Sequence, residues 1–209
     1  DGSIQPIRIS HPAFSVLYKQ AYQPTQPKPL MEKLNTIFST PSISLSPPIK
    51  ALPNVKPKVG LCLFSHQTLK NSRTLRQLTR LMDLGHISLE LILDTPSQLI
   101  INNLHKIKHV KQLTLEGHLV SDCKKIERQN YNILLTPCIH DSLITFFLAH
   151  YRLAEFQMTT CENLLTSGAP EIDYFISSSL FESMDNQAHY SEKLQLFPDL
   201  PFILQPPIN

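Results

Sequence analysis

From Lys58 onward, short apolar runs alternate with segments whose apolar residues recur at helical spacing. Nearly continuous apolar runs are typical of strands buried on both faces of a parallel sheet. Six runs have this character, the third more weakly than the others: VGLCLF, LELILD, KQLTLEG, YNILLTP, EFQMTT and DYFIS. Strands that alternate with helices predict an α/β fold with a six- or seven-stranded, mostly parallel sheet and helices on both faces. We expect NILLTP to lie inside the sheet.

Four segments between these runs have the spacing of helices. The first, TLKNSRTLRQLTRLMDLG, ends at Gly85 and places four apolar side chains on one stripe: Leu75, Leu78, Leu81 and Met82. The second, TPSQLIINNLHK, opens with a Thr cap and a Pro at the first helical position. The third and fourth, SDCKKIERQN and HDSLITFFLAHYRL, have candidate caps at Ser121 and at Asp141 or Ser142.

The chain before Lys58 has a different composition, because ten of the 17 prolines fall there. Proline-rich stretches favour extended, loop-like backbone. Two segments, FSVLYKQAY and LMEKLNTIF, nevertheless have helical spacing. We interpret residues 1–57 as a connector with two short helices, the alternative being a disordered tail. Residues 58–209 form the predicted domain.

Charge and cysteine usage narrow the class of protein. Charged residues make up 17% of the chain and the net charge is +2, which does not predict a nucleic-acid partner. No apolar run reaches the roughly 18–20 residues that span a bilayer, and the first residues lack a signal-peptide pattern. The four cysteines form no C-x-x-C pair, so we expect buried thiols, no zinc site and a cytoplasmic location.

Glycine patterning excludes two kinds of nucleotide site. The chain has five glycines, and none belongs to a G-x-x-x-x-G-K-[ST] or a G-x-G-x-x-G motif. A P-loop is therefore excluded, and a dinucleotide-binding dehydrogenase is disfavoured.

Histidines follow two of the predicted strands. His66 comes after the first strand, where a parallel sheet usually binds its ligand, so it is our candidate catalytic residue, with an ordinary loop histidine as the alternative. His140 follows the fourth strand and is a candidate substrate-binding residue; His140, Asp141 and Ser142 are adjacent, which is the wrong geometry for a catalytic triad. His105 and His109 have the helical spacing of a metal pair, but flanking lysines favour a solvated basic turn.

The segment TCENLLTSGAP after the fifth strand is the richest pocket candidate. Its substrate-binding candidates are Glu162, Asn163, Thr166, Ser167 and Gly168. Backbone amides of a Ser-Gly turn are able to bind an oxyanion or a phosphate, although the segment is equally interpretable as a connection. We expect these residues and His66 to converge at the carboxyl end of the sheet, with Gly168 in a backbone geometry that a side chain would hinder.

A longer pattern resembles a known family. The elements are TSG-x-P-x-IDYF-x-S-S, an acidic stretch, HYSEKL-x-x-FP-x-L and QPP, preceded by YNILLTPCIHDSLITFFLAHYRLAEFQMTT. Over roughly residues 130–207 this pattern is similar to the N-terminal half of the catalytic region of glycosyltransferase family 41, the protein O-linked N-acetylglucosamine transferases and their bacterial relatives. Residues 58–129 match only as strand, loop with a His, and long helix.

The resemblance implies a Rossmann-like domain that is one half of a GT-B architecture. That half faces the acceptor, and a second, C-terminal domain holds most of the nucleotide-sugar donor, such as a UDP-sugar, as co-substrate; no cofactor or metal is implied. The implied function is transfer of a sugar to protein Ser or Thr. The implied partners are a protein or peptide acceptor and the donor-binding domain, and a helix would lead from the sixth strand toward that domain.

The chain departs from the family's pattern at three places. The family usually has a His deeper in the loop after the first strand, whereas this chain has LKNSR there and only His66 is near. Where the family has Gly-His-Pro before Thr-Ser-Gly, this chain has Glu162, Asn163 and Leu164, and Glu155-Phe156 replaces the Pro expected before Gln157. The alternative hypothesis is therefore a non-catalytic domain that keeps the fold and binds a peptide or partner protein.

Overall fold

The computed structural model describes residues 27–37, 42–50, 52, 55–64, 73–94, 109–163 and 165–199. Its centre is a seven-stranded sheet, and every pairing between the described strands is parallel. The strands are β1 Lys58–Leu63, β2 Ser88–Asp94, β3 Lys111–Leu115, β4 Ile133–Leu135, β5 Phe156–Thr160, β6 Tyr174–Ser178 and β7 Lys193–Phe197. Their order across the sheet is β3-β2-β1-β4-β5-β6-β7, so NILLTP lies at the centre as predicted.

Within the described residues, four α-helices accompany the sheet: α1 Pro27–Ile37, α2 Arg73–Asp83, α3 Leu119–Glu127 and α4 Leu143–Leu148. Short 3₁₀ turns lie at Ile139–Asp141 and Met184–His189. Ser142 caps α4 by accepting from the Thr145 amide, as one of the two predicted caps. The segment TPSQLIINNLHK lies outside the described residues.

Alternating side chains of the central strands divide the core between the two faces of the sheet. Val59, Leu61 and Leu63 point to one face, where they join a cluster that includes Leu75 of α2. Cys62 points to the other face and packs in a cluster with residues of α3 and α4. Helices therefore cover both faces, which confirms the predicted α/β, Rossmann-like fold.

Helix α2 ends where the sequence predicts. Gly85 has φ +83°, the His86 amide donates to the Leu81 carbonyl and the Gly85 amide donates to the Met82 carbonyl. This is the helix-terminating motif for which glycine is favoured. The predicted stripe is wrong at Leu81, which is 39% exposed, because the apolar face is formed by Leu75, Leu78 and Met82.

Two other predictions about the helices need correction. Ser121 is not the cap of α3: the helix begins at Leu119, and the Ser121 hydroxyl donates to the His118 carbonyl. Asp122 is instead the buried acid near this helix end, and its carboxylate accepts from the amides of Glu116 and Gly117. After β6 the chain forms a short 3₁₀ turn and then strand β7, not a helix.

The proline-rich segment before β1 contacts the domain. The predicted helical segment LMEKLNTIF lies in α1 over residues 30–37, and residues 42–50 contribute Ile43 and Leu45 to the cluster under α3. The Ser46 amide also donates to the carboxylate of Glu127. FSVLYKQAY lies outside the described residues. Within the described ranges, no helix has the length and hydrophobicity to cross a membrane.

Candidate functional site

The strand order locates a crevice at the carboxyl edge of the sheet. The chain winds outward from β1 to β2 and β3 in one direction, and from β4 to β7 in the other. Ligands of such sheets bind at the carboxyl ends of the strands where the order reverses, here between β1 and β4. We call this place the crevice. Three parts of the chain follow the strand ends at this edge of the sheet: the amino end of α2, the segment after β4 and the segment after β5.

Glu162 ties the segment after β5 to helix α2. Its Oε1 accepts from both the amide and the hydroxyl of Thr74, each at 2.6 Å. Thr74 is the second residue of α2, and a carboxylate is stabilised there by the unpaired amides and the helix dipole. The carboxylate that the sequence assigns to substrate thus has a partner inside the protein.

His140 and Asn163 form a buried pair beside Glu162. His140 Nδ1 lies 3.1 Å from Asn163 Oδ1, and Asn163 Nδ2 donates to the Leu165 carbonyl at 2.6 Å. Because the amide nitrogen of Asn163 is identified by this second bond, His140 Nδ1 is the donor. The neutral ring then has its lone pair on Nε2. His140 is 5% and Asn163 2% exposed, so both stand inside the wall of the crevice.

The Cys161 thiol, near the crevice, is held in the neutral form. Burial raises the pKa of the Cys161 thiol to about 11, and the Glu162 carboxylate adds to the rise. Cys138 donates through Sγ to the Glu162 carbonyl at 3.3 Å. A nucleophilic cysteine needs a lowered pKa, so Cys161 is not suited to covalent catalysis. All four cysteines are free, as the sequence predicts, but the prediction of buried thiols is wrong for Cys138 and Cys161, which are partly exposed.

The Thr166–Gly168 turn makes a second group of contacts, with the two residues before β7. The Ser167 amide donates to Glu192 Oε1 at 2.7 Å, and the Thr166 hydroxyl donates to Glu192 Oε2 at 2.6 Å. The Gly168 amide donates to the Ser191 hydroxyl at 3.0 Å. The backbone amides proposed for an oxyanion therefore already have partners from the same chain.

Helix α1 covers this turn from the other side. Gly168 has φ +67°, and a Cβ added there would lie 2.7 Å from Asn35 Nδ2 and 2.8 Å from the backbone and Cβ of Met31. Asn35 Nδ2 also donates to the Ser167 carbonyl at 3.4 Å, and Met31 is 2% exposed. Gly168 therefore has the backbone geometry that the sequence predicts, one that a side chain would hinder. The group that approaches it closely is helix α1, not a ligand.

A third set of polar contacts holds the start of β5 and β6. Arg152 binds both carboxylate oxygens of Asp173, at 2.6 and 3.0 Å, and donates to Glu171 at 2.8 Å. The Gln157 side chain accepts from the amides of Leu153 and Ala154, and the Gln157 backbone amide donates to Asp173. These residues belong to the sequence pattern that resembles a family, and their contacts here are with other parts of the domain.

The structure thus divides the predicted site residues into two groups. Glu162, Asn163 and His140 meet at the crevice, whereas the Thr166–Gly168 turn packs against Ser191, Glu192 and α1. His66 and His105 lie outside the described residues, so the predicted convergence on His66 stays a prediction. His109 lies 3.4 Å from Asp83, and the described residues contain no group of three or more metal-ligating side chains.

Sequence reasoning missed the partners in both groups. Thr74 was hidden inside a helical pattern, and Met31 lay in a segment interpreted as a connector. Ser191 and Glu192 were noted only as part of the HYSE motif. Nothing in the nearby sequence indicates that a Ser-Glu pair before a strand binds residues about 25 positions away.

Comparison with known proteins supports the fold. No protein-family model matches the sequence, and no curated protein matches it. Among solved structures, the chain is similar to a mutant of the O-GlcNAc transferase of Thermobaculum terrenum, with a TM-score of 0.68 at 14% identity. The likeness covers 90% of this chain and 38% of the other chain. The fold is therefore an α/β, Rossmann-like fold with a GT-B glycosyltransferase as structural neighbour.

Proposed function

We propose that this chain is the acceptor-side domain of a nucleotide-sugar-dependent glycosyltransferase that modifies protein Ser or Thr. The observation that carries the proposal is the likeness in fold to an O-GlcNAc transferase over 90% of the chain. The sequence pattern adds support, because its separate parts meet in space: Thr166-Ser167-Gly168 contacts Ser191-Glu192. The partners are a protein or peptide acceptor and a donor-binding domain. The free cysteines favour the cytoplasm as the compartment.

The proposed reaction is a direct, inverting transfer. The acceptor hydroxyl oxygen attacks the anomeric carbon of the sugar, the bond from that carbon to the diphosphate oxygen breaks, and the hydroxyl proton passes to a base. The nucleoside diphosphate leaves with the bonding electrons. In this scheme the domain positions the acceptor, which is a large contribution to rate when the geometry is correct, and the donor-binding domain stabilises the leaving diphosphate.

Burial sorts the roles of the candidate residues. Glu162 is partly accessible at the crevice, so it is assigned to acceptor contact, and His66 keeps its predicted role as the catalytic residue. Gly168 is closely approached by α1, so it is assigned to the packing of the turn against that helix. Asn163, His140, Thr166 and Ser167 are buried, so they are assigned to holding the segment after β5 in place.

A mass-spectrometric transfer assay tests this function. The full protein that contains this chain is incubated with UDP-N-acetylglucosamine and a library of Ser- and Thr-containing peptides. The expected result is a mass increase of one N-acetylhexosamine on Ser or Thr. Binding of peptides to the chain without transfer, for any nucleotide sugar supplied, would overturn the enzymatic proposal.

A non-catalytic peptide-binding domain is the second candidate. The observation in its favour is that Glu192 already accepts from the Ser167 amide, at the predicted ligand-contact turn, and that Glu162 accepts from the Thr74 amide. The same assay separates the two, since a binding module retains peptides on a column yet leaves their masses unchanged.

A further inference from the structure

Strand β7 is an edge strand of the described sheet and pairs with β6 on one side. The Lys193 amide donates to the Asp173 carbonyl, on the side of β6. Backbone groups alternate in direction along a strand, so those of Leu194 and Leu196 point outward, away from β6. A row of outward amides and carbonyls is a template on which another chain can add a strand.

The side chain of Gln187 fills the first part of this edge. Gln187 lies in the 3₁₀ turn Met184–His189, just before β7. Its Oε1 accepts from the Leu194 amide at 2.8 Å, and its Nε2 donates to the Glu192 carbonyl at 2.8 Å. A residue of a neighbouring parallel strand offers the same two groups, a donor and an acceptor, to a carbonyl and an amide two residues apart. The Gln187 side-chain amide therefore takes the place of one residue of an added strand.

Two further features of β7 oppose strand addition. Lys193 is exposed, and a lysine on an edge strand disfavours pairing with another chain. Pro198 follows β7 directly and has no backbone N–H to donate. Between them, the Leu194 carbonyl and both backbone groups of Leu196 make no hydrogen bond on their outward side to another described residue. The open part of the edge is therefore short.

We propose that Gln187 is an edge clamp, a side chain whose amide closes the outer edge of β7 to strand addition by a second copy of this chain. Two copies related by a two-fold axis at Leu196 would exchange the amide and carbonyl of that residue in an antiparallel pair. In that pairing the Leu194 amide also faces the second copy, whereas Gln187 now holds it. The edge clamp controls assembly and is independent of the proposed function.

Gln187→Ala tests the edge clamp by sedimentation velocity over a concentration series. The substitution leaves the Glu192 carbonyl and the Leu194 amide open, so the weight-average mass should rise with concentration toward about twofold that of the wild type. Asn186→Ala is the matched control, because Asn186 lies in the same turn, is also partly buried and makes no side-chain hydrogen bond to another described residue. It should keep the wild-type mass.

Leu196→Pro, added to Gln187→Ala, separates strand pairing from general instability. Proline removes the outward amide of Leu196, so the double variant should return to the wild-type mass if strand pairing causes the association. A double variant that stays associated would overturn the proposal. A Gln187→Ala variant that keeps the wild-type mass would overturn it as well.

Hydrogen exchange of the ¹⁵N-labelled wild type, followed by NMR, tests the same edge without a substitution. The Leu194 amide is bonded to Gln187 and should be protected, whereas the Leu196 amide should exchange faster by about tenfold or more. Equal protection of the two amides would mean that another group covers the edge, and the proposal would fail. This measurement decides the matter if Gln187→Ala does not fold.

Discussion

Gly168 is the residue at which local geometry and packing act together. Its φ of +67° already disfavours any side chain, and α1 fills the space where a Cβ would point. Gly85 has a similar φ of +83° but no atom within 4 Å of the added Cβ. The two glycines therefore separate the cost of the backbone conformation from the cost of overpacking.

We expect Gly168→Ala to be markedly more destabilising than Gly85→Ala. Gly85→Ala should lower the free energy of unfolding by about 1 kcal/mol, the cost of a side chain in a left-handed conformation. Gly168→Ala should add about 1–3 kcal/mol more, because Met31 and Asn35 must move. Urea unfolding of both variants measures the difference, and equal losses would contradict the close packing of α1 on the turn.

Glu192 is the most heavily bonded carboxylate of the Thr166–Gly168 group. It is 1% exposed and accepts from the Ser167 amide and from the hydroxyls of Thr166 and Ser191. Glu192→Ala leaves the Ser167 amide and the Thr166 hydroxyl buried without this acceptor, so we expect a loss of about 2–4 kcal/mol in the free energy of unfolding. The exposed Glu116→Ala should lose less than about 1 kcal/mol under the same conditions. Comparable losses in the two variants would rule out the structural role of Glu192.

At the scale of elements, α1 behaves as part of the domain. Met31 is 2% exposed, whereas its neighbour Leu30 is 37% exposed on the same helix. Met31→Ala should cost about 2–4 kcal/mol in unfolding free energy, and Leu30→Ala less than about 1 kcal/mol. Thermal and urea unfolding would show this difference. If Met31→Ala were as mild as Leu30→Ala, the prediction of an independent connector over residues 1–57 would be favoured instead.

The end of α4 gives the domain a pH-dependent contribution. Burial lowers the pKa of His150, partly offset by the bond from its Nδ1 to the Phe146 carbonyl. A histidine whose pKa is lower in the folded state contributes stability that is present above its unfolded pKa, about 6.5, and is lost as the pH falls through its folded pKa. We therefore expect the free energy of unfolding to fall below about pH 6.5, and His150→Gln to flatten that slope.

His118→Gln serves as the control for this slope, because it removes an exposed imidazole just before α3. Urea unfolding at a series of pH values between 5 and 8 is the measurement. An unchanged acid slope in His150→Gln would show that other groups cause it.

At the scale of the whole molecule, the described residues pair the amides of Thr74 and of the Ser167-Gly168 turn with side chains of this chain, which leaves neither to a diphosphate. We expect no tight binding of a nucleotide sugar by this 209-residue chain alone. Isothermal titration calorimetry with UDP- and GDP-sugars is the direct measurement. A dissociation constant in the micromolar range would contradict the expectation and with it the assignment of the donor to a second domain.

The sequence by itself determined six of the seven strands, two helix ends and the class of the fold. Buried strands, helix ends at Gly85 and Ser142, and the parallel arrangement are encoded locally, since apolar periodicity and capping residues act over a few positions. The local pattern was weakest where β7 and the 3₁₀ turn lie, because Lys193–Phe197 alternates polar and apolar residues at a sheet edge and is not a continuous apolar run.

Only the tertiary structure decided what the polar residues do. Thr74 and Glu162 are 88 positions apart, Ser167 and Glu192 are 25 apart, and Asn35 and Ser167 are 132 apart. The strand order and the path of each crossover bring these pairs together, and neither is written in the spacing of nearby residues. A carboxylate or an amide looks the same in sequence whether it faces a ligand or a buried partner, because its role depends on which donor or acceptor the fold places beside it.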